Sequence, residues 1–327
     1  MKTIGQVLVV VDPERRATPA LQRGAALARR ASARLQLCLL DHQPLIDATA
    51  DIIDPEVMRL AKTQFIAERV QWLQQQCDAL AAEGLAAAAE TRWAPARHKA
   101  LLDRVLEHQP DLVIKDAEAE DGGWLGTPDW KALRFCPAPL MLMRPDSAPL
   151  PARILAAVDT SGDAKQKAAL NDAVFDLALQ LGLYCGAEVH LAHVFPFHAP
   201  ERERGLLTEA YEDMRRNDGE QFRAFAAAHG IADERQHLLS GDPAQTLAEF
   251  ARRGGFDLLS VGAVHRSAID RFFLGSTAES LLTLASCDVL VVKPPDFVER
   301  LGDHIDIEGL RRQQALLQAG TGLPGTR

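Results

Sequence analysis

The stretch from Asp257 to Glu279, D-L-L-S-V-G-A-V-H-R-S-A-I-D-R-F-F-L-G-S-T-A-E, gathers the residue types best suited to hold a small anion. Leu258, Leu259 and Val261 form a short apolar run that ends on Gly262, the pattern of a buried strand. Gly275 then precedes Ser276-Thr277-Ala278-Glu279 and the apolar Leu281, Leu282 and Leu284. A serine followed three residues later by a glutamate is a capping box, so a helix is predicted to begin at Ser276. Glycine before a helix start lets a ligand approach the backbone, and the first N–H groups of a helix have no partner inside it. Such an end attracts phosphate. A strand–loop–helix connection without any ligand fits the same local pattern, because that connection is the default of α/β folds.

These groups need elements to position them. Val7 to Val11 followed by Asp12 reads as a buried strand ending on an acid, and Thr18-Pro19 supplies an N-cap and a first-turn proline. Leu35, Leu37 and Leu39 alternate as a second strand ending at Asp41. A long helix is expected from Pro55 to Ala82, with Ile66, Val70, Leu73, Cys77 and Leu80 on one face. A third strand over Ala87 to Trp93 follows, then a helix carrying Leu101, Leu102, Val105 and Leu106, and a strand from Asp111 to Ile114. A helix from Thr127-Pro128 through Leu133 and a strand from Pro139 to Met143 close the half.

After Pro145 to Pro151 the order restarts. Ile154 to Asp159 repeats the first strand and its acid at an offset of 159 − 12 = 147. A helix on Ala169, Leu170, Ala173, Val174, Leu177 and Leu181 is expected to stop at Gly182. A strand over Glu188 to Val194 comes next, then a helical region containing Leu207, Tyr211, Met214, Phe222 and Phe225, and a helix over Ala244 to Arg252. Asp257-Leu258-Leu259 matches Asp111-Leu112-Val113 at an offset of 257 − 111 = 146, and Val289 to Lys293-Pro294 matches Leu140 to Arg144-Pro145. The chain is a tandem duplication: residues 1–148, residues 151–296, and a polar tail over 297–327 with a short helix near Ile307 to Leu317. Alternating strands and helices imply a parallel sheet covered on both faces, with ligands beyond the strands' C-terminal ends. Asp12, Asp159, Val194 and Gly262 fall at such ends.

Composition narrows the classes of function. The 327 residues suffice for two domains, and 47% hydrophobic with 25% charged residues is the balance of a globular chain. Lys and Arg number 36 against 45 Asp and Glu, a net charge of −9 that argues against an extended nucleic-acid surface. Cys38, Cys77, Cys136, Cys185 and Cys287 are dispersed without a C-x-x-C pair, which suits a reducing compartment. The apolar run at Val7 to Val11 is too short for a signal peptide or a membrane span. The expectation is a cytoplasmic protein that does not enter a membrane.

The spacing Gly262, two residues, His265, nine residues, Gly275-Ser276 resembles the nucleotide loop of the universal stress protein family, G-x2-G-x9-G-(S/T). His265 stands at the family's second glycine. The resemblance covers residues 1–296 and extends to tandem members, through Thr127-Pro128-Asp129-Trp130 and Arg134-Phe135-Cys136-Pro137-Ala138-Pro139. It implies an α/β chain of two tandem Rossmann-like, adenine-nucleotide α-hydrolase-like domains, each a parallel five-stranded sheet flanked by helices. It also implies packing as an internal pseudo-dimer, because single-domain members pair through their last strands, and it leaves a further homodimer open. By position, Asp159 would meet a ribose and Val194 a base through its backbone. Gly262, Gly275, Ser276 and Thr277 would meet the phosphates of ATP or another nucleotide-type ligand.

His265 sets two alternatives: its imidazole donates to an anion, or it blocks a triphosphate and changes the choice of ligand. Arg266 and Arg271 either add positive charge or are simply solvated. In the first domain Lys115 is read as the counterpart of Gly262, followed by Asp116, Glu118, Glu120 and Asp121, with Asp129 in the first turn of the next helix. Carboxylates there satisfy the positive helix end and repel a second anion, so a structural or partner-binding role is expected for that domain. His190, His193 and His198, with His237 or His265, are candidates for zinc. Residues three apart on a strand face opposite sides, however, so no metal site is assigned. Trp124 and Trp130 suit either a contact surface or buried anchors. The resemblance therefore implies a non-catalytic stress-response protein that binds a nucleotide or related phosphorylated ligand in the second domain and acts through protein partners. The alternatives are a slow ATP hydrolase, for which His265 is the one candidate base beside the loop, and an interaction scaffold with both clefts filled.

Overall fold

Apolar strands alternating with helices build the first half: β1 (Gln6–Val11), α1 (Pro19–Ala31), β2 (Arg34–Asp41), α2 (Pro44–Ala48), α3 (Pro55–Ala82), β3 (Ala87–Trp93), α4 (Arg97–His108), β4 (Leu112–Asp116), α5 (Thr127–Phe135) and β5 (Leu140–Met143). The computed structural model describes residues 3–12, 14, 18–49, 52–118, 125–161, 164–195, 204–263 and 276–297. Helix α1 starts where the sequence places it, with the Thr18 hydroxyl accepting from the Leu21 N–H at 3.2 Å and Pro19 following. Helix α3 has the expected bounds, but its apolar stripe is buried only at Leu73, Cys77 and Leu80, while Val70 is 50% exposed. The 28-residue helix is about 42 Å long and the seven-residue β3 beneath it about 23 Å, so the first turns run past the sheet.

The second half repeats the order: β6 (Arg153–Ala157), α6 (Ala164–Cys185), β7 (Glu188–Phe195), α7 (Arg204–Ala228), β8 (Gln236–Ser240), α8 (Pro243–Arg253), β9 (Leu258–Gly262), α9 (Ser276–Leu284) and β10 (Asp288–Val292). Gly182 does not end α6. A Cβ there would lie 2.3 Å from Val189 Cγ2, so glycine serves close packing of helix on strand, and the helix stops before Gly186 at φ +70°. Helix α1 likewise stops before Ser32, at φ 51°. Aligned at these ends, α6 with 22 residues exceeds α1 with 13 by 22 − 13 = 9 residues, all at its N-terminus. Strand β8 was not expected from the sequence, since Q-H-L-L-S is short, lies at the sheet edge and leaves Leu238 38% exposed.

The ten strands form one sheet in the order β3-β2-β1-β4-β5-β10-β9-β6-β7-β8, parallel throughout except at β5–β10. At that seam Leu290 pairs with Met141, Val289 with Leu142 and Val291 with Leu140. The repeat offset is 290 − 141 = 149, so Met141 and Leu290 are each other's counterparts and sit on a local two-fold axis. One apolar layer gathers α1, α3, α6 and α7, and the other α4, α5, α8 and α9, each continuous across the seam. The matched aspartates prove to be a repeated clamp. Asp111 Oδ2 accepts from the N–H groups of Gly5 (2.9 Å) and Gln6 (3.1 Å), and Asp257 Oδ2 from those of Ala152 (2.7 Å) and Arg153 (2.9 Å). Residues 1–294 form one compact unit. The second unit, 295–327, is described only at 295–297, so the expected tail helix lies outside the described residues.

One ion pair at the seam has no symmetric copy. Arg23 of α1 meets Asp288 of β10 at 3.0 Å, each side chain 1% exposed. Arg23 also donates to the carbonyls of Pro149 (2.7 Å) and Ala148 (2.8 Å), and Asp288 accepts from the Arg144 N–H (2.9 Å) and the Ser147 hydroxyl. Counting nine back from the left-handed caps pairs Arg23 with Leu177, and the seam offset pairs Asp288 with Pro139. Removing one partner strands a buried charge. Arg23→Ala is expected to lower unfolding stability by about 3–5 kcal/mol, and Arg23→Met with Asp288→Leu to recover most of that loss. Denaturant unfolding measures both. A loss of under about 1 kcal/mol in the single variant would show that the pair is not holding the seam.

Candidate functional site

In the second half, the strand ends bring Asp159, Val194 and Gly262 to one edge of the sheet. Asp159 follows β6, and both of its oxygens are engaged. Oδ1 accepts from the Ser161 N–H (3.1 Å) and hydroxyl (2.6 Å), and Oδ2 from Lys167 Nζ at 2.6 Å. Burial pushes this carboxyl up, but Lys167 and Ser161 outweigh it and hold it below the ordinary aspartate value. Asn171 fixes the backbone at the same point, donating to the Asp159 carbonyl (2.9 Å) and accepting from its N–H (3.1 Å).

Behind these groups His193 ties two elements together. Its Nε2 lies 2.6 Å from Asp218 Oδ2 on α7, and its Nδ1 3.1 Å from the carbonyl of Val158, the residue before Asp159. Val194 is buried at the end of β7. Gly262 closes β9, and a Cβ on it would fall 2.8 Å from Leu170 Cδ2, so close helix packing requires glycine there as well. Helix α9 begins at Ser276 as expected, with Thr277 exposed in its first turn. Glu279 in the same turn meets Arg134 of α5 at 3.4 Å. His265, Arg266, Arg271 and Gly275 lie outside the described residues, as does the Ser276 side chain.

The first half corrects one assignment. Val7, Leu8, Val9 and Val10 pair with Leu112, Val113, Ile114 and Lys115, whereas Ile154, Leu155, Ala156 and Ala157 pair with Leu258, Leu259, Ser260 and Val261. Lys115 is therefore the counterpart of Val261, and Asp116 that of Gly262. A slip of one residue on a strand reverses the face, and the sequence offset falls from 147 to 146 between these strands. Asp116 Oδ1 accepts from the Ala20 N–H at 3.0 Å and caps α1, where the second half instead packs Leu170 on Gly262. Lys115 points to the opposite face. Its Nζ meets Asp129 Oδ1 (2.8 Å), Glu118 Oε1 (2.6 Å) and the Asp116 carbonyl (3.0 Å).

Asp129, in the first turn of α5 and fully buried, also accepts from the Glu118 N–H at 2.6 Å. Burial pushes its carboxyl above the ordinary value, and Lys115 with the Glu118 N–H offsets only part of that. Glu118 is likewise pushed up by burial, but Lys115 and Arg97 outweigh the effect and hold it low. Asp12, Leu40, Arg97, His98, Lys115 and Glu118 line a cavity of about 30 Å³, room for about two waters. Trp130 is half-buried against the apolar layer of α4 and α5, an anchor rather than a free face, while Trp124 lies outside the described residues.

The histidines separate as strand geometry requires. His193 faces α7, whereas His190 points to the other side, with its Nδ1 2.9 Å from His237 Nε2, the two rings stacked, and Phe256 edge-on to His190. Among the described residues no group of three His, Cys, Asp or Glu could hold a metal ion. No helix among the described residues is long and apolar enough to cross a membrane.

Comparison with known proteins agrees with this architecture. A family model described as the universal stress protein family matches residues 152–293. Universal stress protein E of Escherichia coli (strain K12) is 26% identical over 305 residues, spanning 89% of this chain and 94% of its own. Universal stress protein E of Photorhabdus laumondii is 25% identical over 316 residues, spanning 91% and 97%. Among solved structures, a putative universal stress protein from Pseudomonas aeruginosa UCBPP-PA14 superposes with a TM-score of 0.73 at 23% identity, over 92% of this chain and 97% of that one. A functionally unknown protein from Pseudomonas aeruginosa PAO1 gives 0.71 at 23% identity, over 92% and 96%. At these identities the solved structures show a shared fold.

Two outcomes test the buried groups. Lys115→Ala leaves Asp129 buried beside Glu118 without its cation and is expected to cost about 3 kcal/mol of stability, read from denaturant unfolding; a cost under about 1 kcal/mol would contradict the network. Burial, with Arg153 adding to it, holds His190 below the ordinary histidine value, and Glu188 opposes. Burial and then His190 and Arg153 do the same to His237. The unfolded chain therefore binds more protons below about pH 6.5, so stability is full above that pH and falls as pH drops. The groups facing the pair are Arg153, Glu188 and Arg235. A melting temperature that declines from pH 7 to pH 5, with a shallower slope in His237→Phe, is the expected result. An equal slope in that variant would assign the decline to other groups.

Proposed function

We propose, from the match of residues 152–293 to the universal stress protein family model and the likeness of the chain to universal stress protein E, a non-catalytic stress-response protein that binds a nucleotide or related phosphorylated ligand in its second half. In this reading residues 1–148 and 151–296 are the two domains, and only the second keeps a usable cleft. Asp159 meets the ribose, Val194 the base, and Gly262, His265, Gly275, Ser276 and Thr277 the phosphates. The first half serves the fold and the protein's contacts with partners.

The observation that carries this reading is the contrast between the two halves at the ends of β4 and β9 and at the starts of α5 and α9. In the first half both helices at the cleft begin on buried carboxylates, Asp116 at α1 and Asp129 at α5. Negative charge there already satisfies the helix ends and disfavours a phosphate. In the second half Gly262 replaces Asp116, and α9 begins at Ser276 after Gly275 with no acid before Glu279.

Native mass spectrometry of the purified chain, followed by thermal denaturation with added ATP, tests the reading. An adduct of nucleotide mass, or stabilisation by ATP that is lost in Asp159→Ala and kept in Lys115→Ala, is expected. ATP with Mg²⁺ is expected to persist unchanged over hours, as a non-catalytic binder requires. A bare chain that no nucleotide stabilises would overturn the proposal in favour of a scaffold, and steady ATP consumption would favour a hydrolase.

A further inference from the structure

The two halves differ at the N-terminus of the helix that follows the first strand, and the nine extra residues of α6, 164–172, carry Lys167, Leu170 and Asn171. Asn171 holds the backbone of Asp159, and Leu170 packs where a Cβ of Gly262 would lie. Lys167 is three residues before Leu170, on the same face and one turn nearer the helix start. Lys167 thus reaches Asp159, after β6, from the helix face that packs Leu170 on Gly262 at the end of β9. The ammonium is turned inward: Nζ donates to Asp159 Oδ2 (2.6 Å) and to the Ser161 carbonyl (2.8 Å), while its side chain is 22% exposed. Helix α1 begins at Pro19, which aligns with Ala173, 173 − 167 = 6 residues past Lys167.

We propose that Lys167 sets the charge of the ligand, leaving Asp159 for an anionic group of the bound molecule, so that the cleft accepts phosphorylated nucleotides and rejects the neutral nucleoside. This rests on the nucleotide reading of the second half and adds to it a selecting residue and a ligand class. The physical reason is competition for one oxygen. A ribose hydroxyl approaching Asp159 Oδ2 competes with an ammonium already paired there, and a nucleoside returns nothing to the displaced cation. A nucleotide supplies a phosphate oxygen, and charge-assisted bonds of that type are the strong ones. Arginine preserves this charge and lysine-to-alanine removes it.

Isothermal titration of the full chain with ATP and with adenosine, in the parent protein, Lys167→Ala and Lys167→Arg, separates the outcomes. The parent is expected to bind ATP and to bind adenosine far more weakly. Lys167→Ala should weaken ATP by about tenfold or more while leaving adenosine unchanged or tighter, since Asp159 is released. Lys167→Arg should keep the preference for ATP. If Lys167→Ala binds ATP as the parent does, or loses both ligands equally, the lysine assignment falls while the nucleotide reading stands. If neither ligand binds the parent chain, both readings fall. Thermal unfolding of each variant without ligand checks folding, and the half-buried position of Lys167 leaves that midpoint within a few degrees of the parent.

Discussion

The ten-stranded sheet is arranged about the antiparallel contact between β5 and β10. Each half, taken alone, would end on a short strand whose outer edge presents unpaired N–H and C=O groups. Joining the two edges removes both and makes a single sheet with two continuous apolar layers. It also sets the direction of the clefts, because the strands of one half run opposite to those of the other. The two sets of C-terminal strand ends therefore open at opposite margins of the sheet. Small, local changes at either margin can then diverge without disturbing the seam or each other.

That divergence is visible residue by residue. The backbone plan is repeated closely enough that Asp111 and Asp257 make the same paired bonds to the strand beside them. Upon that plan, the first half has turned inward: Asp116 caps α1, and Lys115 lies among Glu118, Asp129 and a backbone carbonyl. The second half has lengthened a helix instead. The extension sets a lysine and an asparagine on the acid at the end of β6 and requires glycine at the end of β9. Gly262 thus answers the demand of close packing by Leu170, which a sequence motif alone does not reveal.

Much of the fold could be read from the sequence because the periodic signals were long or doubled. The duplication itself followed from Asp12 and Asp159, from Asp111 and Asp257, and from the twin terminal strands. Helix α1 and helix α9 began where caps placed them. Strand β8 escaped because five half-exposed residues at an edge show no burial pattern. Gly182 misled because glycine punctuates helices often, whereas here Val189 demands it. The assignment of Lys115 in place of Asp116 failed by a single residue, since the offset between repeats changes from 147 to 146 and side-chain direction alternates at every step. The pairings of Lys167 with Asp159 and of Arg23 with Asp288 join residues with no motif between them. Only the fold brings them together.

The seam also has a history during synthesis. Strand β5 is complete at Met143, and its partner begins at Asp288, 288 − 143 = 145 residues later. At roughly 5–20 residues per second the apolar edge Leu140-Met141-Leu142-Met143 waits for about 7–30 s on the ribosome. Its register about Met141 is self-complementary, so two nascent first halves on one messenger could join edge to edge. In such a pairing each Arg23 would meet Pro139 where Asp288 now stands, and a buried guanidinium without its carboxylate is costly. The one-sided ion pair therefore does more than hold the finished seam: it makes the chain's own second half the better partner while the first is still waiting.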